Sequence, residues 1–277
     1  PFSRRSRHTR LGRWSRGLGD VYKRQAPEAG KVLVVIPAYN EEACIGRVVR
    51  GVRSHIPQAD VLVVDDGSSD DTSGQVLASG AELLRLPYNL GVGAALEVAL
   101  MHADQMGYPY VLRLDADGQH DPRDGLRLLA AAQRGEADVV IGSRFLAAPS
   151  NGKYWRNQTT PTRAVGIKVF ATLVSLLIGQ RISDPTCGLR CFNRASTSFL
   201  ARYHPQDYPE VESVVVLHRA GFRLKEIPVE IYPRQGGVSS ISNGKAIYYV
   251  FRVMLAASVA AVRSLPEEVP EGGPNVA

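Results

Sequence analysis

Lys31-Val32-Leu33-Val34-Val35-Ile36-Pro37 is a continuous, largely β-branched apolar run closed by a proline, and Val61-Leu62-Val63-Val64 repeats it before Asp65-Asp66-Gly67-Ser68-Ser69-Asp70. A strand with one wet face alternates apolar and polar residues, whereas a run without alternation belongs to a strand covered on both faces, as in a parallel sheet. Working outward, residues 82–86, 110–114 and 137–141 read as further strands, and residues 41–53, 72–79 and 93–106 as helices between them. Strand and helix thus alternate from Lys31 to Arg144, which predicts an α/β fold with a mostly parallel sheet and helices on both faces. Such sheets bind ligands outside the carboxyl ends of their strands. Those ends carry Asn40 and Glu41, Asp65 and Asp66, Asp115 and Asp117, and Arg144, so polar residues collect along one rim. Farther on the pattern is less regular: an apolar helix, a Cys- and Arg-containing turn near Asp184, a helix over 211–220, a strand over 225–232 and a last helix.

The chain has 277 residues, 44% of them hydrophobic, which suits one sizeable α/β core better than two independent domains. Its formal net charge is +6, yet residues 1–25 hold eight Lys and Arg against Asp20 alone, so the rest is close to neutral. A basic pI therefore gives no reason to expect nucleic-acid binding by the folded part. Residues 1–26 show no helical or strand period and no apolar run, and they are expected to be disordered, as are residues 264–277; residues 27–263 make the catalytic domain. The end of the basic segment, Leu18-Gly19-Asp20-Val21-Tyr22-Lys23-Arg24-Gln25, looks like a translated sequencing adapter and is set aside. Cys44, Cys187 and Cys191 form an odd set without a His/Cys grouping for zinc, which fits a cytoplasmic setting and ordinary buried thiols. Two apolar stretches, 164–178 and 246–262, are interrupted by Lys168 and Arg252 and read as amphipathic helices on the core or on a membrane surface, not as spans.

Asp115-Ala116-Asp117 is the most informative local feature. In an extended chain residues i and i+2 point the same way, and Gln119 joins them at i+4, so three oxygen donors would face one point. Hard oxygen donors suit Mg2+ or Mn2+, which take one or two carboxylates and add substrate phosphates. An isolated Asp-x-Asp is more often an acidic turn capping the next helix, here the one after Pro122. Asp65-Asp66-Gly67-Ser68 offers acceptors for a nucleobase N–H or a ribose hydroxyl, although such a tetrad is also a common turn. Gly91-Val92-Gly93 is a weak dinucleotide fingerprint, because Leu96 stands where the third glycine belongs.

The informative blocks occur in one order: Val35-Ile36-Pro37-Ala38-Tyr39-Asn40-Glu41-Glu42, Val64-Asp65-Asp66-Gly67-Ser68-Ser69-Asp70, Asn89-Leu90-Gly91-Val92-Gly93-Ala94-Ala95, Leu114-Asp115-Ala116-Asp117-Gly118-Gln119-His120, Gly142-Ser143-Arg144, Asp184-Pro185-Thr186-Cys187-Gly188-Leu189-Arg190 and Arg234-Gln235-Gly236-Gly237-Val238-Ser239-Ser240. In that order the sequence resembles family 2 of the inverting glycosyltransferases with the GT-A fold. Within it, the sequence resembles particularly the dolichol-phosphate mannosyltransferase and polyprenyl-phosphate glycosyltransferase branch. The resemblance implies that Pro37, Tyr39, Glu41, Val64 and Asp66 hold a nucleotide, with Asp65 beside them. It further implies that Asp115, Ala116 and Asp117 meet the diphosphate and the metal, Mg2+ or Mn2+, with Gln119 as a further ligand. Arg144 and Arg234 would face the reacting phosphates. Arg190, with Ser239 and Ser240, goes to the acceptor side. Many of the mannosyltransferases carry a Lys where this chain has Ser240, which leaves the donor open between GDP- and UDP-sugars. The Gln-x-x-Arg-Trp block of the processive synthases is missing, which implies one sugar per reaction.

The chemistry can be argued from the residues as well. Breaking the bond from the anomeric carbon to a diphosphate leaves negative charge that a divalent cation and an arginine stabilise in place. A hydroxyl acceptor needs a general base, for which Glu210 and Glu212 are the candidates, whereas a lipid phosphate arrives ionised and needs only positioning. The expectation is therefore a cytoplasmic or peripherally membrane-bound glycosyltransferase acting on a polyprenyl phosphate. The rivals are a transferase acting on a glycan hydroxyl, an inactive nucleotide-sugar-binding protein and a nicotinamide oxidoreductase.

Overall fold

The computed structural model describes residues 31–146, 161–205, 208–233 and 246–262. The two segments expected to be disordered lie outside the described residues, as do Arg234, Ser239 and Ser240.

Strands β1 (Val32–Ala38) and β2 (Ala59–Asp65) pair in parallel along their whole length, from Val32 opposite Ala59 to Ala38 opposite Asp65. Residues 32–36 and 62–64 are each at most 1% exposed, as two-sided burial requires. The other strands are β3 (Glu82–Arg85), β4 (Tyr110–Arg113), β5 (Val139–Ser143), β6 (Arg190–Asn193) and β7 (Leu224–Pro228), in the sheet order β3-β2-β1-β4-β6-β5-β7. The helices are α1 (Ile45–His55), α2 (Thr72–Ser79), α3 (Val92–Met106), α4 (Pro122–Gln133), α5 (Pro161–Ile178), α6 (Arg194–Tyr203), α7 (Pro209–Arg219) and α8 (Ala246–Val262). The mostly parallel α/β sheet is as expected.

One strand departs from it. β6 runs antiparallel between β4 and β5, with Arg190 opposite both Arg113 and Ile141. Its four residues, Arg-Cys-Phe-Asn, carry no apolar run, and only the long-range pairing makes them a strand. Helix α6 follows it without a break, capped by Asn193, whose side chain accepts from the Ser196 N–H; neither element is legible in the hydrophobic pattern.

Two boundaries bear on function. β4 ends at Arg113, so Asp115, Ala116 and Asp117 lie in a turn, and the argument from strand alternation at i and i+2 does not hold for them. Helix α4 takes its cap from Asp121, whose carboxylate accepts the Arg123 N–H at 2.8 Å with Pro122 in the first turn. The capping duty that an Asp-x-Asp turn would otherwise serve is thus filled by another residue.

Helix α8 lies against α5 and α7 with Val253 and Ala257 fully buried, and Arg219 on α7 donates to the Ala260 carbonyl at 2.7 Å. Among the described residues no helix is long and apolar enough to cross a membrane. All three cysteines are buried and free, and burial pushes the Cys187 thiol up to about 12.

Candidate active site

The ends of β1 and β2 are stitched into one surface. Asn40, in the left-handed region at φ 54°, accepts the Ser69 N–H on its side-chain oxygen at 2.9 Å and donates its own N–H to Ser68 Oγ. Glu41 N–H donates to Thr72 Oγ1 at 2.8 Å, while Glu42 accepts the Asp71 N–H at 2.9 Å. The first two sequence blocks therefore fold onto each other. Pro37 and Glu41 are half-buried at this junction and Tyr39 is exposed.

Two of the expected nucleotide contacts have fully buried side chains. Asp65 is fully buried, accepts the Ser68 N–H at 2.9 Å and takes the Ser73 hydroxyl on its other oxygen, so it holds the turn and presents no surface to a ligand. The Val64 side chain is equally inside the sheet and belongs to the core. Asp66 accepts the Leu90 and Gly91 N–H groups, both at 2.8 Å, which pins the loop before α3 against the end of β2. Gly67 makes that approach possible. Its φ is +71°, and a Cβ there would lie 2.5 Å from the Tyr88 carbonyl carbon.

Asp115 stands in a charged cradle. Its Oδ1 lies 3.3 Å from Arg113 Nη2 and its Oδ2 3.3 Å from His120 Nε2. Burial alone would raise the Asp115 carboxyl, but the Arg113 guanidinium and the His120 ring hold it well below the usual carboxylate range. Gly188 closes the cradle, since a Cβ on it would lie 2.2 Å from Asp115 Oδ2. Asp117 is 6% exposed and accepts the Gln119 N–H at 3.0 Å; Ala116 between them is buried. Gln119 is held in turn by strand-like contacts to the segment after β7: its Nε2 donates to the Tyr232 carbonyl at 3.2 Å and its carbonyl accepts the Tyr232 N–H at 2.9 Å.

Among the described residues no three His, Cys, Asp or Glu side chains gather as a self-sufficient metal cage. Two carboxylates and an amide oxygen in one turn nonetheless fit a hard divalent cation that draws its remaining ligands from a substrate diphosphate. Asp115 is ionised in place and about a third of its side chain is open.

Arg144 follows β5 and forks onto Asp184, with Nε to Oδ2 at 2.6 Å and Nη2 to Oδ1 at 2.7 Å, and Nη2 also reaches Thr186 Oγ1. The Asp184 loop is braced from below by Glu226 on β7, which accepts the Ser183 and Asp184 N–H groups at 2.8 Å. Arg190, expected on the acceptor side, is engaged within the fold. It is 1% exposed, and its guanidinium donates to the carbonyls of Cys187, Pro185 and Glu210 and to Ser213 Oγ, so it is a cross-link between the Asp184 loop and α7. Glu210 pairs with Arg113 at 2.7 Å and Glu212 accepts the Tyr208 N–H at 3.1 Å. The residues that pattern reading passed over are Arg113, His120, Gly188 and Glu226. For Arg113 a signal was present: a lone charge in the apolar strand Tyr110-Val111-Leu112-Arg113, two residues before Asp115.

Comparisons with known proteins bear on the family and the fold. The sequence model described as Glycosyl transferase family 2 matches residues 33–199. Undecaprenyl-phosphate mannosyltransferase of Micrococcus luteus is 32% identical over 249 residues, covering 84% of this chain and 98% of that protein. Polyprenol monophosphomannose synthase of Mycolicibacterium smegmatis is 30% identical over 80% of this chain and 85% of its own length. Among solved structures, glucosyl-3-phosphoglycerate synthase of Mycobacterium tuberculosis, in complex with Mn2+ and UDP-glucose, superposes with a TM-score of 0.62 at 20% identity, covering 85% of this chain and 80% of that one. That likeness speaks for the GT-A fold alone. With its rim of strand-end carboxylates, its GT-A sheet and a family match over more than half its length, the chain belongs to glycosyl transferase family 2 and is a glycosyltransferase.

Proposed function

We propose that the enzyme transfers one sugar, with inversion, from a nucleotide-diphosphate sugar to a polyprenyl phosphate. The observation that carries the choice of acceptor is the pairing of Glu210 with Arg113 at 2.7 Å. Together with the Tyr208 bond of Glu212, it ties both candidate bases for a hydroxyl acceptor into the fold. A phosphate acceptor needs none, and the relatives named above are polyprenyl-phosphate enzymes. In the reaction an ionised phosphate oxygen attacks the anomeric carbon from the face opposite the nucleotide. A new C–O bond forms, and the electron pair of the old one leaves with the nucleoside diphosphate. Mg2+ or Mn2+ held by Asp115, Asp117 and Gln119 would stabilise charge on the leaving diphosphate. Pro37, Tyr39, Glu41 and Asp66 would line the nucleotide, with Arg144 and Arg234 toward the phosphates. GDP- and UDP-sugars both remain candidate donors.

The reading calls for contact with a membrane surface. In support, Val165, Val169 and Leu176 on α5 and Leu255, Val259 and Val262 on α8 are exposed, and neither helix contains an Asp or Glu.

The test is a screen of GDP-, UDP- and dTDP-sugars with Mn2+ and a short-chain polyprenyl phosphate or the matching free polyprenol. Transfer to the phosphate alone is the expected result. Preference for the alcohol or for a soluble glycan would replace this reading with the hydroxyl-acceptor one. In the same assay Gly188→Ala should lower turnover roughly tenfold to a hundredfold, because the added methyl drives the Asp115 carboxylate out of its cradle, and misplacement on that scale is costly. Unchanged turnover would show that the position of Asp115 is unimportant.

A further inference from the structure

Two carboxylates share one buried donor. Arg113 on β4 is 4% exposed, and its Nη2 lies 2.7 Å from Glu210 Oε1 but 3.3 Å from Asp115 Oδ1. Its Nε makes no hydrogen bond in that buried position, so the side chain is not saturated by its surroundings. Glu210 stands in the first turn of α7, with its backbone carbonyl fixed by Arg190 Nη2 at 2.7 Å. It is therefore held where it takes the shorter of the two contacts. A cation bound tightly to Asp115 would compete with any other cation for the same oxygens.

We propose that Glu210 is a positioning residue for the divalent-cation site: by holding the Arg113 guanidinium it leaves the Asp115 carboxylate available to a metal ion. The inference rests on Asp115 being a metal ligand, and it adds that affinity is set from α7, by a residue that touches neither metal nor substrate. Removing the charge of Glu210 turns Arg113 wholly onto Asp115. Removing Arg113 as well returns Asp115 to the metal.

The experiment is Mn2+ binding followed by electron paramagnetic resonance, with UDP or GDP present, which needs no turnover. Glu210→Gln should weaken Mn2+ binding about tenfold, the lower end of what groups behind a metal ligand typically contribute. Arg113→Gln combined with Glu210→Gln should restore affinity to about the parent level, and Arg113→Gln alone should bind Mn2+ at least as tightly as the parent, which keeps the idea testable even if Glu210→Gln does not fold. A merely structural role for Glu210 predicts no such rescue. Parent-like Mn2+ affinity in Glu210→Gln, or a double variant as weak as the single one, or weakened binding in Arg113→Gln alone, overturns the inference and leaves the metal assignment standing. Absence of Mn2+ binding by the parent protein overturns both.

Discussion

Asp117→Asn is expected to lower sugar transfer by about a hundredfold or more, with Mn2+ binding lost and thermal stability nearly unchanged. The asparagine keeps the volume of the side chain and a carbonyl oxygen that can accept the Gln119 N–H, now bonded at 3.0 Å, so the turn survives. Only the negative charge is removed. If that charge serves a cation that stabilises the departing diphosphate, its loss falls on the transition state, where single electrostatic contacts are commonly worth two to three orders of magnitude, on the order of 10²–10³ in turnover. The competing explanation, an aspartate that caps a helix, predicts near-normal turnover with stability unchanged, because asparagine caps about as well as aspartate. Asp121 already fills that role for α4, which tilts the expectation further. Turnover and a melting curve on the same preparation decide it: an active Asp117→Asn enzyme would end the metal assignment.

Arg190→Met should be among the most damaging single changes to stability, costing roughly 3–5 kcal/mol, the range for removing one partner from a buried polar network. The methionine fills comparable space but takes the guanidinium donor away from the carbonyls of Pro185 and Cys187 and from Ser213 Oγ, and leaves the Glu210 carbonyl only its Ser213 contact. Burial, reinforced by the nearby Arg113, pushes the Arg190 guanidinium down to about 10, so it is still a cation at neutral pH and its hydrogen bonds are charge-assisted. For a domain of this size the loss corresponds to a fall in Tm on the order of 10 °C. A residue that met the acceptor phosphate would behave in the opposite way, with Tm preserved and turnover lost at saturating donor. A melting temperature equal to the parent's would restore Arg190 to the acceptor side.

Arg144 and Arg190 show how far a pattern of residue types reaches. Both stand in recognisable blocks, and both read as cations waiting for phosphate. The structure separates them, because Arg144 follows β5 onto the Asp184 loop beside the site, whereas Arg190 lies on β6 between two other strands. Strand β6 is four residues with an arginine at its head, and nothing in local spacing marks it as the antiparallel insertion that makes Arg190 a core residue. The same limit applies to Asp65 and Asp66. Adjacent carboxylates at a strand end are identical in type, yet one tethers its own turn and the other a loop more than twenty residues away.

The parallel sheet and its polar rim were legible along the chain. Continuous β-branched runs are satisfied between two helical layers, and each run stops where polar residues begin, so strands β1 to β5 along the chain and the place of Asp115, Asp117 and Arg144 just past strand ends follow from local chemistry. Long-range packing shows which charges are consumed within the fold. Arg113 and His120 flank Asp115 in its own stretch of chain, but Gly188 and Glu210 come from two other segments, and their arrival there depends on β6 pairing with β4 and on α7 docking beside it. Electrostatic partnership is a matter of distance in space and of excluded water, and neither is encoded in the spacing of residues along a chain.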